Sequence, residues 1–441
     1  MAGGSAPLAA AAVSAPPGSP GRGYMAPLAV LTSLFFMWGF ITCLNDIIIP
    51  HLKAVFELNY AKAMLVQFAF FTAYFIVSLP SGALVKKLGY KTGIIIGLCT
   101  AGLGCLAFYP AAGAQSYPLF LLALFVLAAG ITLLQVAANP FVAVLGRPET
   151  ASSRLTLTQA INSLGTTLAP YFGSLLILSN AVKSPDEIKG LAPAAAEAYR
   201  VTQASSVQLP YVGLAVALFA LAVAIGLFKL PKIDAASGGA DEAAGGHAGA
   251  SAWSYRPLVL GAVGIFVYVG AEVAIGSFLV NYFKEPAIGG LTESVGATYL
   301  PYYWGGAMVG RFIGSLTLRM FRPGKLLAGH ALVAAVLVVV TMLAMGHVAM
   351  WAILLVGFFN SIMFPTIFSL GVAELGPLTG NGSGLINMAI VGGAILPVIQ
   401  GLIADRVGLH HAFVLPVICY LYILFYALSG SKPNSVRYAS A

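Results

Sequence analysis

Long, predominantly apolar runs, each bounded by charges, prolines or glycines, recur along the whole chain. The pattern predicts helices at 26–50, 63–87, 90–113, 117–146, 152–180 and 207–230, then at 254–284, 294–320, 324–346, 348–376, 380–404 and 410–430. About 20 apolar residues in a helix cross the roughly 30 Å hydrocarbon core of a bilayer, and the strict alternation of a membrane barrel is missing here. The expected fold class is an all-α polytopic membrane protein, with twelve transmembrane helices in two pseudo-symmetric six-helix bundles. Its parts are a disordered tail at 1–24, one bundle at 25–230, a flexible cytoplasmic linker at 231–253, a second bundle at 254–431 and a cytoplasmic tail at 432–441. The linker carries the low-complexity run SGGADEAAGGHAGAS, which has no apolar period.

The division into bundles rests on an internal repeat. Gln135 stands five residues before Pro140 in QVAANP, and Asn360 five before Pro365 in NSIMFP, an offset of 225. The same offset carries Ile161-Asn162 onto Ile386-Asn387 and lands Asp46 beside Glu272. The basic turns GALVKKLGYK (82–91) and GSLTLRMFRPGK (314–325) follow the second span of each half. Several matches at one offset argue for two parallel repeats.

Composition narrows the class. The chain is 59% hydrophobic and 8% charged, against roughly 25% charged in a soluble domain. A net charge of +8 need not mean a nucleic-acid partner, and none is expected. The basic residues fall in short loops, about two to one on a single side, which places both termini in the cytoplasm. Cys43, Cys99, Cys105 and Cys419 all lie in apolar segments and read as buried thiols. There is no H-E-x-x-H, G-x-S-x-G, P-loop or C-x-x-C, so neither an enzyme nor an ATP-driven pump is expected, and no cofactor or metal.

Charges inside spans are expensive and mark pathways. Three stand out: Asp46, Glu272 and Arg311. Asp46 is the expected coupling-ion site, with Arg311 and Glu272 as charge partners or gating groups. A static salt bridge that fixes packing is the competing reading, nearly as good for the last two. The candidate substrate ligands are Asn45, Gln135, Asn139, Gln159, Asn162, Asn360 and Asn387, because carboxamides both donate and accept, as sugar hydroxyls require. Such residues also hold helices together in membranes, so some of the seven serve packing. Phe364 joins them as an aromatic that can stack on a pyranose, with Trp304 beside it as the other aromatic favoured; Tyr268 and Tyr302 share their depth, and any of the four also fits a packing role. Gly306, Gly310 and Gly314, like Gly93 and Gly97, have the four-residue spacing of close helix contacts.

Five stretches resemble the fucose–galactose–glucose:proton symporter family of the major facilitator superfamily. They are FFMWGFITCLNDIIIPHLK (35–53), LQVAANPFVAVLG (134–146), SSRLTLTQAINSLGTTLAP (152–170), WGGAMVGRFIGS (304–315) and FFNSIMFPTIFSLG (358–371). The resemblance implies a monomeric sugar symporter of the bacterial-type inner membrane, working by alternating access. It implies a proton- and sugar-handling role for Asp46, and sugar-cavity positions for Gln159, Asn162 and Phe364. Gln135 stands where fucose carriers have a glutamate, which points away from fucose and leaves proton coupling resting on Asp46. The resulting expectation is import of a neutral hexose or N-acetylhexosamine with a proton, in contact with the lipid bilayer. Sodium coupling, an uncoupled carrier and a non-transporting membrane sugar sensor are the alternatives.

Overall fold

A computed structural model describes residues 24–55, 60–176, 190–231 and 251–432. The expected tails and most of the linker lie outside these residues. Every regular element among the described residues is helical. The first half contributes α1 (Met25–Val55), α2 (Tyr60–Leu88), α3 (Tyr90–Gly113), α4 (Tyr117–Val144), α5 (Ala151–Leu176) and α6 (Gln208–Leu227). A shorter helix, Pro193–Ser205, precedes α6. The second half contributes α7 (Arg256–Lys284), α8 (Leu300–Met320), α9 (Pro323–Leu343), α10 (Gly346–Val372), α11 (Gly376–Val407) and α12 (Leu409–Gly430).

These twelve stretches coincide with the twelve apolar runs. Ten of them are long and apolar enough to cross a membrane; α5 and α8 are more polar. That polarity is informative, because a helix lined by Ser, Thr, Gln, Asn or Arg needs a wet or protein-filled neighbour. Differences from the expected pattern are local. Pro140 lies within a continuous α4, whereas α10 breaks at Ser361–Ile362 and restarts two residues before Pro365. The run predicted from 294 begins with a short helix, Glu293–Ala297, and α8 proper starts at Leu300. Gly89, at φ 82°, makes the one-residue turn between α2 and α3, a left-handed conformation that a side chain would strain.

The packing repeats with the sequence. In the first half α1 packs on α5, α2 on α4, and α3 on both α4 and α6; in the second half α7 packs on α11, α8 on α10, and α9 on both α10 and α12. The halves meet by exchange, α2 against α11 and α5 against α8. Small residues permit these contacts. A methyl group on Gly97 would lie 2.9 Å from the Leu134 backbone of α4, and one on Gly310 2.6 Å from the Phe358 carbonyl oxygen of α10. Between the halves, a methyl on Gly82 of α2 would lie 2.8 Å from the Gly380 carbonyl oxygen of α11.

Candidate functional site

The seam between α5 and α8 carries the chemistry. On α8, Trp304, Met308, Arg311 and Ser315 recur at three- and four-residue steps and form one stripe. Opposite runs the α5 stripe of Ser153, Thr156, Ser163 and Thr167. The helices are antiparallel, and hydrogen bonds form rungs between them. Ser153 Oγ donates to the Ser315 carbonyl at 2.5 Å and accepts from Arg319 Nε at 3.2 Å. One Arg311 Nη donates to Ser163 Oγ, and Thr167 Oγ1 lies 3.5 Å from the Met308 sulfur. Burial grades along the ladder. Ser153, Thr156, Ser163 and Ser315 are buried, Arg311 and Met308 are half-buried, and Thr167 and Trp304 are exposed. The cleft is therefore shut at the end that carries the basic turns and opens toward the other end.

More contacts reinforce the shut end. Ser152 and Ser369 share a hydrogen bond at 2.6 Å between α5 and α10. Ser383 of α11 donates to the Val136 carbonyl of α4 at 2.9 Å. A methyl on Gly384 would lie 2.7 Å from the Ser78 carbonyl of α2.

Arg311 and Glu272 come together where the ladder begins to open. Arg311 Nη lies 3.8 Å from Glu272 Oε1, Tyr268 donates to the same oxygen at 2.8 Å, and Arg311 Nε reaches the Ser361 carbonyl at 3.4 Å. The ion pair is thus made within the second half, while the Ser163 bond ties Arg311 to the first. An arginine suits this position because its planar fork can serve three partners at once. The side chains of Asn45 and Asp46 lie outside the described residues; α1 carries both positions.

The carboxamides divide by what they touch. Asn360 is fully engaged inside the second half: it donates to Tyr303 Oη at 2.9 Å and accepts from Tyr420 Oη at 2.8 Å, and Tyr303 in turn donates to the Glu272 carbonyl at 3.2 Å. Asn162 donates to the Phe35 carbonyl of α1 at 2.8 Å, and it packs so closely on Gly39 that a Cβ there has no space. Gln135 donates to Tyr74 Oη at 2.7 Å across α4 and α2. Asn387 donates to the Ser383 carbonyl at 2.9 Å one turn earlier, and its oxygen accepts nothing. Asn139 is fully buried with neither amide atom bonded. Gln159 is 8% exposed, one turn before Ser163. Phe364 is half-buried and stacked on Phe368, with centroids 6.2 Å apart.

Sequence reasoning missed several members. Ser163, Ser153 and Ser152 carry no signal that separates them from other helix serines. Gln400 is wholly buried in α11 with both amide atoms unbonded. Arg154, assigned by its sequence position to the loop charges, is 4% exposed. It donates to the Val142 and Ala143 carbonyls at 3.2 and 2.7 Å, to the Arg147 carbonyl at 2.8 Å and to Thr150, and so caps the end of α4. Lys91 does the same for α6, donating to the Gly226 and Phe228 carbonyls at 2.8 and 3.1 Å. Such basic groups satisfy the last carbonyls of a helix and its dipole.

The sequence matches the model of the Major Facilitator Superfamily over residues 28–396. A glucose/galactose transporter of Brucella abortus biovar 1 (strain 9-941) is 56% identical over 411 residues, 93% of this chain and 95% of its own. The L-fucose-proton symporter of Escherichia coli (strain K12) is 39% identical over 419 residues, 93% of this chain and 94% of its own. A crystal structure of the superfamily transporter FucP in the outward conformation superposes with a TM-score of 0.85 at 39% identity, covering 92% of this chain and 99% of that one.

Proposed function

Because the chain belongs to the Major Facilitator Superfamily, and within it to the fucose–galactose–glucose:proton symporter family, we propose that it imports a neutral hexose together with a proton by alternating access. The observation that carries this reading is the graded α5–α8 ladder, shut at the basic end and open beside Arg311 and Glu272. A carrier needs a cavity reachable from one side at a time, and two repeats rocking about a central site provide it.

The basic turns belong in the cytoplasm by the positive-inside tendency, with both termini on that side. The described state then faces outward. A sugar entering from outside meets Thr167 and the Arg311–Glu272 pair first, with Gln159 one turn deeper along α5. The unbonded carboxamide of Asn139 and the free amide oxygen of Asn387 supply a donor and acceptors that hexose hydroxyls can satisfy. Each exchange of water for protein contributes only about 0.5–1.5 kcal/mol, so recognition needs several such groups together. Asn360 and Asn162 serve the framework in this state, since their amide donors are engaged by tyrosine and backbone. Asp46 is the proton carrier in this scheme: an intramembrane carboxylate that loads from outside and releases to the cytoplasm. The closeness of the glucose/galactose relative favours glucose or galactose as the sugar. The carrier works as a monomer in the inner membrane, because each chain holds both halves of its seam.

The test is uptake into proteoliposomes of labelled glucose, galactose, mannose, fucose and N-acetylglucosamine, with proton and sodium gradients imposed separately. Wild type accumulates glucose or galactose uphill only under a proton gradient, and Asp46→Asn keeps exchange but loses accumulation. Uptake that ignores both gradients and the substitution refutes the symport reading.

A further inference from the structure

We propose that the indole of Trp304 is the aromatic platform on which the apolar face of the transported sugar packs, at the open end of the α5–α8 cleft. This inference rests on the sugar-transport reading above and adds a residue to it.

Three stripes on α8 fix where the indole sits. Tyr302, Val309, Ile313, Leu316 and Met320 are exposed apolar residues on one face, which is the lipid face of the helix. Gly306, Gly310 and Gly314 form a second face and receive Phe358, Ser361 and Ile362 of α10. Trp304 stands on the third face, in line with Met308, Arg311 and Ser315, opposite the lipid stripe by helical geometry. Its exposure of 44% is therefore exposure to the cleft. Across the cleft, Pro170 and Tyr171 on the next turn of α5 are exposed as well, so the halves have parted at this level.

The indole is also seated. Its ring packs over Gly276 of α7, where a methyl group would lie 2.8 Å from Cζ2, and it meets Tyr303 edge-on with centroids 5.0 Å apart. Gly276 is one turn beyond Glu272 on α7, so the platform stands directly outward of the Arg311–Glu272 pair. A rigid aromatic face beside hydrogen-bonding groups matches the two surfaces of a pyranose, one lined by C–H bonds and one by hydroxyls. Tryptophan offers the largest such face and loses little rotamer freedom when used.

The experiment measures uptake kinetics and sugar-dependent tryptophan emission in reconstituted wild type, Trp304→Phe, Trp304→Ala and Gly276→Ala. Losing the platform raises KM about tenfold in Trp304→Ala, a typical effect of removing a packed aromatic, while Trp304→Phe recovers most of the loss. The change in emission on adding sugar disappears in Trp304→Phe, although Trp38, Trp253 and Trp351 remain. Gly276→Ala displaces the indole and raises KM with the tryptophan intact. A KM within twofold of wild type in Trp304→Ala, or sugar-dependent emission that persists in Trp304→Phe, overturns the proposal. A wild type that takes up none of the sugars refutes the transport reading itself, and the platform falls with it.

Discussion

Replacing Ser153 by alanine unlocks the shut end of the cleft without touching the ion pair. Ser153 is 1% exposed and holds two rungs, one to the Ser315 carbonyl and one from Arg319. A neutral hydrogen bond contributes about 1 kcal/mol net and a charge-assisted one about 1.5–3 kcal/mol. The Arg319 guanidinium sits near the helix end and regains water, which lowers its share. The two together come to about 2 kcal/mol, which shifts the balance between the described state and one open at the basic end by about 30-fold. Spin labels at Glu149→Cys and Phe321→Cys, both exposed positions at that end, report the change as a distance distribution. With the four native cysteines replaced, the longer-distance population rises relative to the shorter one by that factor, at unchanged helix content. A ratio altered less than threefold refutes the idea that these rungs hold the seam shut. A protein that unfolds instead shows the serine to be a core residue and refutes it equally.

Other substitutions separate framework from pathway. Glu272→Gln leaves the half-buried Arg311 without the Glu272 charge and lowers stability by about 1–3 kcal/mol, whereas the double variant Glu272→Met with Arg311→Met recovers most of the loss; thermal unfolding in detergent reads both. Asn360→Leu strips partners from Tyr303 and Tyr420 and lowers stability by about 2–4 kcal/mol, with KM unchanged in whatever fraction folds. A KM that rises tenfold in that fraction would make Asn360 a sugar ligand instead. Asn139→Ala removes a carboxamide with no bonds to lose, so it leaves stability within about 1 kcal/mol but raises the KM for sugar in uptake assays.

The helices were legible because length and apolarity decide ten of the twelve, and α5, though more polar, is helical over Ala151–Leu176, with 177–180 of the expected run outside the described residues. The repeat was legible at the level of packing too: residues paired by the offset sit on helices with equivalent neighbours, as Gln135 on α4 and Asn360 on α10 do. The pairing of charges was less so. From sequence Arg311 is a candidate partner for Asp46, whose side chain lies outside the described residues; among the described residues its carboxylate partner is Glu272 on α7, and it also bonds across the seam to Ser163. Periodicity assigns a residue to a helix face but gives no rotation of one helix against another, so it names the charges and not their partners. Asn162 and Asn360 illustrate the same gap, because a carboxamide that joins helices and one that awaits a ligand are identical in sequence. Arg154 fails for a different reason: a basic residue at a helix start looks like an orientation signal whether or not it reaches back to cap the preceding helix.

The capping roles of Lys91 and Arg154 bear on biogenesis. While the chain is being inserted, each is a charge that resists translocation and so helps to decide which way its helix threads the bilayer. Once the bundle has closed, the same charges are fixed against the carbonyl ends of α6 and α4. Topology and tertiary structure thus draw on one set of side chains. A neutral substitution at either site acts twice, first on the fraction of nascent chains that thread correctly and later on the lifetime of those that did. Conversely, a helix threaded backwards would carry its cation to the opposite leaflet and leave the carbonyl end of α4 or α6 uncapped.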